Sequence, residues 1–368
     1  MSLGEAEQRF LLRAVLQLPA EQPEPLDWEA VARAARWHGI AALAWRTAVG
    51  VDALETLRGP ALDEAAQTAL HVSAFARTTR VLRAAGLDGM ALKGVALVAT
   101  DPAYQSLRMV SDLDLLVRAE DVERVDVALV AAGARRAAHR PTVDGAPGLA
   151  SLAAQAHVAA VANYADAPGA AIDLHVRPPA ELEDGIEALW GRSSHVTVHG
   201  VEVRVPSLLD QRAILCGHAL HHHGADPRFL PRHLADLVRM ERLGVTRAAG
   251  PPAVAASWRL LADARTSLEL RGPRRLAVSQ VARALDPETA RVEGAYRAAG
   301  VRVRERASLV AGKGLAALFP SRAYLAAAYG VDSDAWWIPL LHVRRLLVDQ
   351  PLAVLGFGRP SKPPDRAR

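Results

Sequence analysis

The chain has 368 residues, of which 51% are hydrophobic and 23% are charged, a balance typical of globular proteins. Its 44 lysines and arginines nearly cancel its 40 acidic residues, and only 5% of residues are aromatic, so a basic nucleic-acid surface with interleaved aromatics is disfavoured. The single cysteine, Cys216, excludes intramolecular disulfides and cysteine-clustered metal sites.

The N-terminus lacks the pattern of a secretory signal, and no apolar run approaches the roughly 18 residues that a membrane span needs. We therefore expect a cytoplasmic protein without membrane segments. Apolar residues recur at helical spacing in three N-terminal segments, which predicts helices over 5–17, 28–38 and 61–85.

The middle of the chain changes to strand-like patterns. GMALKGVAL predicts a strand ending near Leu92, a Lys93-Gly94 turn and a helix from Val95. Further strands are predicted over 111–117, 157–164, 170–176 and 195–205, with a helix over 119–132 and a hairpin turn at 165–169.

The helical pattern returns at Ser207, a predicted N-cap with Asp210 in the first turn. The sequence thus predicts an α+β fold, in which a small mixed sheet is flanked by helices on both sides in the chain. The expected regions are an N-terminal helical region (1–75), an α/β core (76–205), a C-terminal helical domain (206–357) and a flexible tail (358–368).

Two acids in SDLDLLV carry the strongest chemical signal. On a strand, Asp112 and Asp114 project from the same face, about 7 Å apart, while Leu113 and Leu115 face the other way. Two carboxylates on an otherwise apolar strand repel each other unless a cation lies between them. Mg²⁺, or Mn²⁺ in its place, prefers such oxygens together with substrate phosphates.

AAIDLHV repeats the pattern, because Asp173 lies between Ile172 and Leu174 and shares a face with His175. Asp173 completes a predicted two-metal clamp and is a candidate to accept the proton of the nucleophile. For His175 we predict a supporting hydrogen bond to a carboxylate or a carbonyl.

The Lys93-Gly94 turn at the start of a helix offers exposed amides and a cation for phosphates. Arg108 precedes Asp112 by four residues and can add a bidentate contact to a phosphate. Alternatively, Lys93 and Arg108 are ion-pair partners of Asp88, Asp101 or the predicted metal ligands.

The order of LKG, Arg108, SDLDLLV and IDLH resembles the nucleotidyltransferase superfamily of DNA polymerase β. More narrowly, it resembles an uncharacterised bacterial nucleotidyltransferase-like family often encoded beside natural-product genes. The resemblance covers roughly residues 88–240. It implies that Asp112, Asp114 and Asp173 bind metal and that Lys93, Gly94 and Arg108 bind the triphosphate. Val95 stands where the wider superfamily usually has serine.

A third cluster lies in CGHALHHHGADPRFL, where His218, His221 and His222 share a helix face and Asp236 follows on the next helix. The cluster is either a zinc site or a helix-packing feature, and in a third interpretation His218 and Asp236 bond to each other across two helices and line the floor of the cleft. The pattern favours a buried thiol for Cys216 and a packing cluster around Trp336 and Trp337, although those tryptophans could form an interaction surface.

These observations predict a metal-dependent nucleotidyltransferase that moves an NMP group from an NTP co-substrate to a hydroxyl or amine of a small molecule or peptide. The alternatives are a catalytically inactive nucleotide sensor and an interaction scaffold built on the helical flanks.

Overall fold

The computed structural model describes residues 3–19, 25–136, 160–178, 184–219, 228–245, 251–269 and 285. These residues belong to one compact unit made of residues 1–137 and 159–302. The predictions for Trp336, Trp337 and the tail at 358–368 lie outside the described residues.

Four helices precede the sheet in the described ranges: α1 (Glu5–Val15), α2 (Trp28–His38), α3 (Ala41–Thr47) and α4 (Val51–Ala84). The first two were predicted closely. α4 begins well before residue 61, its predicted start, and contains Pro60 in its interior. The helix continues through this proline because Ala53 and Leu57, in the turns before it, are buried against the rest of the protein.

Seven strands in the described ranges form one mixed sheet in the order β3-β4-β5-β2-β1-β7-β6. β2 runs parallel to β5 and β1 parallel to β7, while the other neighbouring pairs are antiparallel. The predicted α+β class is confirmed. The strands are β1 (Met90–Ala91), β2 (Leu113–Leu116), β3 (Arg135–Arg136), β4 (Ala160–Ala165), β5 (Ala171–His175), β6 (Ser194–Val198) and β7 (Val201–Val205).

The remaining described helices are α5 (Lys93–Thr100), α6 (Val122–Ala131), α7 (Gly185–Arg192), α8 (Leu208–Gly217), α9 (Leu230–Arg242) and α10 (Pro252–Glu269). A buried cluster containing Met90, Trp190 and Ile214 joins the sheet to α7 and α8. Ser207 caps α8 by accepting a hydrogen bond from the Asp210 N–H at 3.2 Å, as the sequence predicted. No helix in the described ranges has both the length and the apolar character needed to cross a membrane.

The prediction of one strand over 195–205 is wrong. The segment is a hairpin of β6 and β7, turning at His199 and Gly200 with φ angles of 48° and 73°. Two consecutive positive φ angles give the sharp turn whose twist matches that of paired strands. The hairpin predicted around 165–169 is confirmed, and the Asp166 carboxylate closes its turn on the Ala170 N–H at 2.7 Å.

Candidate functional site

Two aspartates lie side by side in the centre of the sheet. β2 and β5 pair in a parallel register that sets Asp114 directly opposite Asp173, with Leu113 opposite Ile172. Paired residues in neighbouring strands project from the same face, and the strands are about 4.8 Å apart. The sheet therefore brings two carboxylates together that are far apart in the chain.

Asp114 is almost fully buried and accepts two charged or polar contacts on one oxygen. Lys93 Nζ lies 2.5 Å from Asp114 Oδ1, and His175 Nε2 lies 2.8 Å from the same atom. Burial alone would raise the pKa of Asp114, but the His175 hydrogen bond and the positive charge of Lys93 hold it well below its usual range. Asp114 is therefore ionised near neutral pH.

Asp173 is half-buried and has a different environment. Burial and the nearby charges of Asp112 and Asp114 raise its pKa, although a hydrogen bond from the Asn163 amide opposes that shift. Asn163 lies opposite Asp173 in the β4–β5 register. Of the two paired aspartates, Asp173 is therefore the better proton acceptor.

Asp112 lies just before β2 and not within it, since the strand begins at Leu113. Its carboxylate is half-buried and accepts a hydrogen bond from Ser111 Oγ at 3.1 Å. Within the described ranges Asp112 has no ion-pair partner. Its charge nevertheless acts on Asp173, which places the two acids in one electrostatic cluster.

The turn between β1 and α5 presents Lys93 to these acids. Lys93 has a φ of 52°, in the left-handed region that residues other than glycine, asparagine and aspartate rarely adopt. The Leu92 N–H donates to the Asp114 carbonyl at 2.9 Å, which fixes the turn beside β2. Backbone strain of this kind is concentrated at functional sites, and here the strained residue contacts a buried acid.

Gly94 follows in this turn, and its role depends on Arg108. A Cβ atom at residue 94 would lie 2.8 Å from Arg108 Nη1 and 2.9 Å from its Cζ. Real Cβ contacts are not that short, so glycine is required for the guanidinium to pack on the turn.

Arg108 forms a buried ion pair with Asp236 of α9. Its Nε lies 3.1 Å from Asp236 Oδ1 and its Nη2 lies 2.9 Å from Oδ2, and the two side chains are 10% and 1% exposed. Tyr104 donates its hydroxyl to Asp236 Oδ1 at 3.3 Å. Thr68 of α4 fixes the same segment, since its Oγ1 donates to the Arg108 carbonyl at 2.7 Å and accepts from the Val110 N–H at 3.0 Å.

These contacts distinguish among the ion pairs considered from the sequence. Asp88 pairs with Arg204 and Asp101 pairs with Arg239, whereas Lys93 pairs with Asp114. Arg108 has Asp236 as its partner, which the sequence did not suggest.

A cleft lies between the central strands β1 and β2, with the segments next to them, and the helices α8 and α9. Its lining includes predicted site residues from both parts: Lys93, Gly94, Arg108, Asp112, Asp114, His218 and Asp236. His221 and His222 lie outside the described residues, so the zinc interpretation of that cluster stays a prediction.

The donor set fits a divalent cation. Ligand atoms of Asp114, Asp173 and His175 all lie within 4.8 Å of one another. Asp112 is not part of that group of three, but its carboxylate has no ion pair in the described part of the chain. Burial raises the pKa of Asp173, and the charges of Asp112 and Asp114 raise it further, so a bound cation would relieve the repulsion among the three carboxylates.

Sequence reasoning missed Asn163 and Arg232, two residues placed at this site. Asn163 could have been found from the predicted hairpin, because the five residues between Ala165 and Ala171 set it opposite Asp173. Arg232 precedes Asp236 by four residues on α9, a spacing that puts both on one helix face, and it also lines the cleft.

A mixed sheet with acids on adjacent strands and a glycine turn beside them is consistent with a nucleotidyltransferase core flanked by helices. Residues 24–249, more than half of the chain and all of the site, match the model of a family described as uncharacterised nucleotidyltransferase. The chain belongs to that family. No curated protein and no solved structure matches the chain.

Proposed function

We propose that this protein transfers a nucleoside monophosphate from a nucleoside triphosphate to a hydroxyl or amine of a small molecule or peptide. The acceptor atom forms a bond to the α-phosphorus, the bond from that phosphorus to the bridging oxygen breaks, and pyrophosphate leaves. The observation that carries the proposal is the register of β2 and β5, which pairs Asp114 with Asp173 beside the Lys93 turn.

In this proposal Asp112, Asp114 and Asp173 hold Mg²⁺ or Mn²⁺. A cation bound there supplies neutralisation of phosphate charge and lowers the pKa of the attacking hydroxyl. Asp173 accepts the acceptor's proton on its carboxylate, a role supported by its half-buried position beside Asp114.

Lys93 and the Gly94 turn bind the triphosphate. Lys93 Nζ is held by Asp114 and lies in the cleft, so a short side-chain rotation transfers its charge to a phosphate. Arg108 uses its Nε and one hydrogen on each of Nη1 and Nη2 for Asp236 and the Met109 carbonyl. Because a guanidinium has five N–H groups, Arg108 retains donors for a phosphate while its position stays fixed. His175 orients Asp114, and His218 and Asp236 belong to the cleft wall.

One observation favours a second function. Asp114 Oδ1 is already contacted by both Lys93 and His175. If the Lys93–Asp114 ion pair is permanent, Asp114 does not bind a metal ion, and the protein is a nucleotide sensor without turnover.

A turnover screen separates the two functions. Each of four α-labelled nucleoside triphosphates is incubated with the protein, Mg²⁺ or Mn²⁺ and pooled metabolite acceptors, and pyrophosphate release is measured. Asp112→Asn should reduce turnover by at least about 100-fold, the scale of losing one electrostatic group at a transition state. Asp63→Asn, at an exposed acid of α4, is the matched control and should retain it. Nucleotide binding without turnover in the wild type would instead identify a sensor.

A further inference from the structure

Arg232 in the first turn of α9 is a cation of the cleft wall that the proposed chemistry has not used. Its guanidinium lies 5.3 Å from the centroid of the Phe229 ring. A Cβ atom on Gly39 would lie 3.1 Å from Arg232 Nη1, so the guanidinium also packs against the turn that ends α2. Two contacts on different elements therefore hold the side chain in one place.

The other cleft cations already have carboxylate partners. Lys93 is paired with Asp114, and Arg108 is paired with Asp236. Across the residues that the structure describes, Arg232 forms no ion pair or hydrogen bond. Its charge is therefore not neutralised by a carboxylate in direct contact.

The acids around Arg232 are committed elsewhere. Asp236 takes both of its charged bonds from Arg108, and Glu64 accepts the Ala41 and Ala42 N–H groups at 3.0 Å each. Asp112 is near enough for its charge to act on Arg232, but it does not contact it. The cleft is thus lined by one acid, Asp112, and one cation, Arg232, that have no ion-pair partner among the described residues.

Arg232 is half-buried, a position that disfavours a charge without an ion-pair partner. Burial and the neighbouring charge of Arg108 lower the pKa of Arg232 to about 10. A desolvated cation without an ion pair is unfavourable unless a ligand compensates it. The stacking on Phe229 offsets part of that cost, but it supplies no hydrogen-bond acceptor for the guanidinium.

We propose that Arg232 binds a phosphate oxyanion of the nucleoside triphosphate in the cleft that it lines together with Lys93 and Asp112. This inference rests on the proposed function, and it makes Arg232 the cleft's uncommitted anion contact. The guanidinium fork matches a phosphate group bidentately, which a lysine ammonium cannot do.

Binding of inorganic tripolyphosphate in metal-free buffer, measured by isothermal titration calorimetry, tests Arg232 without requiring turnover. Arg232→Ala should weaken binding at least tenfold, and Arg232→Lys should restore only part of the affinity. Arg242→Ala is the matched control, because it removes the same charge from an exposed position on the same helix and should stay within twofold of wild type.

Thermal unfolding provides a second readout. Because Arg232 lacks an ion pair, Arg232→Ala and Arg232→Gln should melt at or above the wild-type temperature, which also shows that the binding defect is not misfolding. A role in structure alone predicts the reverse, namely a lower melting temperature with unchanged tripolyphosphate binding.

The proposal is overturned if wild type binds no tripolyphosphate at millimolar concentration, or if Arg232→Ala and Arg232→Gln bind it as wild type does. If tripolyphosphate binding depends on Arg232 but no triphosphate is turned over, the anion site stands and the transferase proposal fails.

Discussion

Replacing Arg108 with methionine tests whether the buried ion pair with Asp236 holds the cleft together. The substitution keeps a long unbranched side chain but removes the guanidinium. Asp236, 1% exposed, would then keep only the Tyr104 hydroxyl as a donor among the contacts described above. The carboxylate would have to remain charged without a cation or take up a proton.

The expected cost follows from the burial of both partners. Removing one member of a buried ion pair typically costs about 3–5 kcal/mol, because the other charge is left uncompensated. The same substitution at an exposed pair should cost at most about 1 kcal/mol. Arg124, paired with Asp121 at 2.8 Å and 59% exposed, provides that matched comparison.

Urea unfolding followed by tryptophan fluorescence measures the free energy of unfolding for each variant. Arg108→Met should lose about 3–5 kcal/mol and Arg124→Met about 1 kcal/mol or less. The double variant Arg108→Met, Asp236→Asn should lose less than the sum of its single variants, since the neutral amide no longer needs a cation. A loss below about 1 kcal/mol for Arg108→Met, equal to that of the surface control, would refute the reasoning.

Three further outcomes are expected. Gly94→Ala should lower the free energy of unfolding by about 1–3 kcal/mol through overpacking on Arg108, whereas Gly59→Ala, with nothing within 4 Å of its Cβ, should be neutral or stabilising; equal effects would argue against the close packing. Asn163→Ala should weaken Mn²⁺ binding by about 10–100-fold in calorimetry, because Asp173 loses the donor that orients it, and unchanged affinity would exclude that role. Burial raises the pKa of Glu64 from 4.5 to about 7. The folded state therefore binds the Glu64 proton more tightly than the unfolded state does. The stability that this proton contributes is fully present below pH 4.5 and is lost as pH rises to 7. Relative to Glu64→Gln, wild type should therefore lose up to about 3 kcal/mol of unfolding free energy across that range, because the other titrating groups are common to both proteins and cancel; parallel profiles would contradict the shift.

The acids of the site were recognisable in the sequence because strand alternation is a local property. Asp112, Asp114 and Asp173 each lie in short aliphatic segments, and the alternation predicted that Asp112 shares a face with Asp114 and that Asp173 shares one with His175. The Lys93-Gly94 turn was equally visible as a break between a strand and a helix. These features depend on neighbours within a few residues.

Other features of the cleft depend on residues far apart in the chain. The pairing of Arg108 with Asp236 spans 128 positions, and no local pattern reports which of several nearby acids an arginine meets. The same holds for Arg232, which lacks an ion pair in the described residues because the nearby Asp236 is paired with Arg108 and Glu64 accepts backbone hydrogen bonds. The hairpin at His199-Gly200 was missed for a different reason, because the continuous apolar alternation hid a two-residue turn.

The amino-acid sequence by itself determined the α+β class, the places of the central strands along the chain and the identity of the acidic and glycine residues, since secondary structure follows from short-range periodicity. The tertiary structure decided that Asp114 and Asp173 are neighbours, that Lys93 contacts Asp114 and that Arg108 is committed to Asp236. Strand register, burial and ion pairing depend on contacts between residues that are far apart in the chain, and no local sequence pattern reports those contacts.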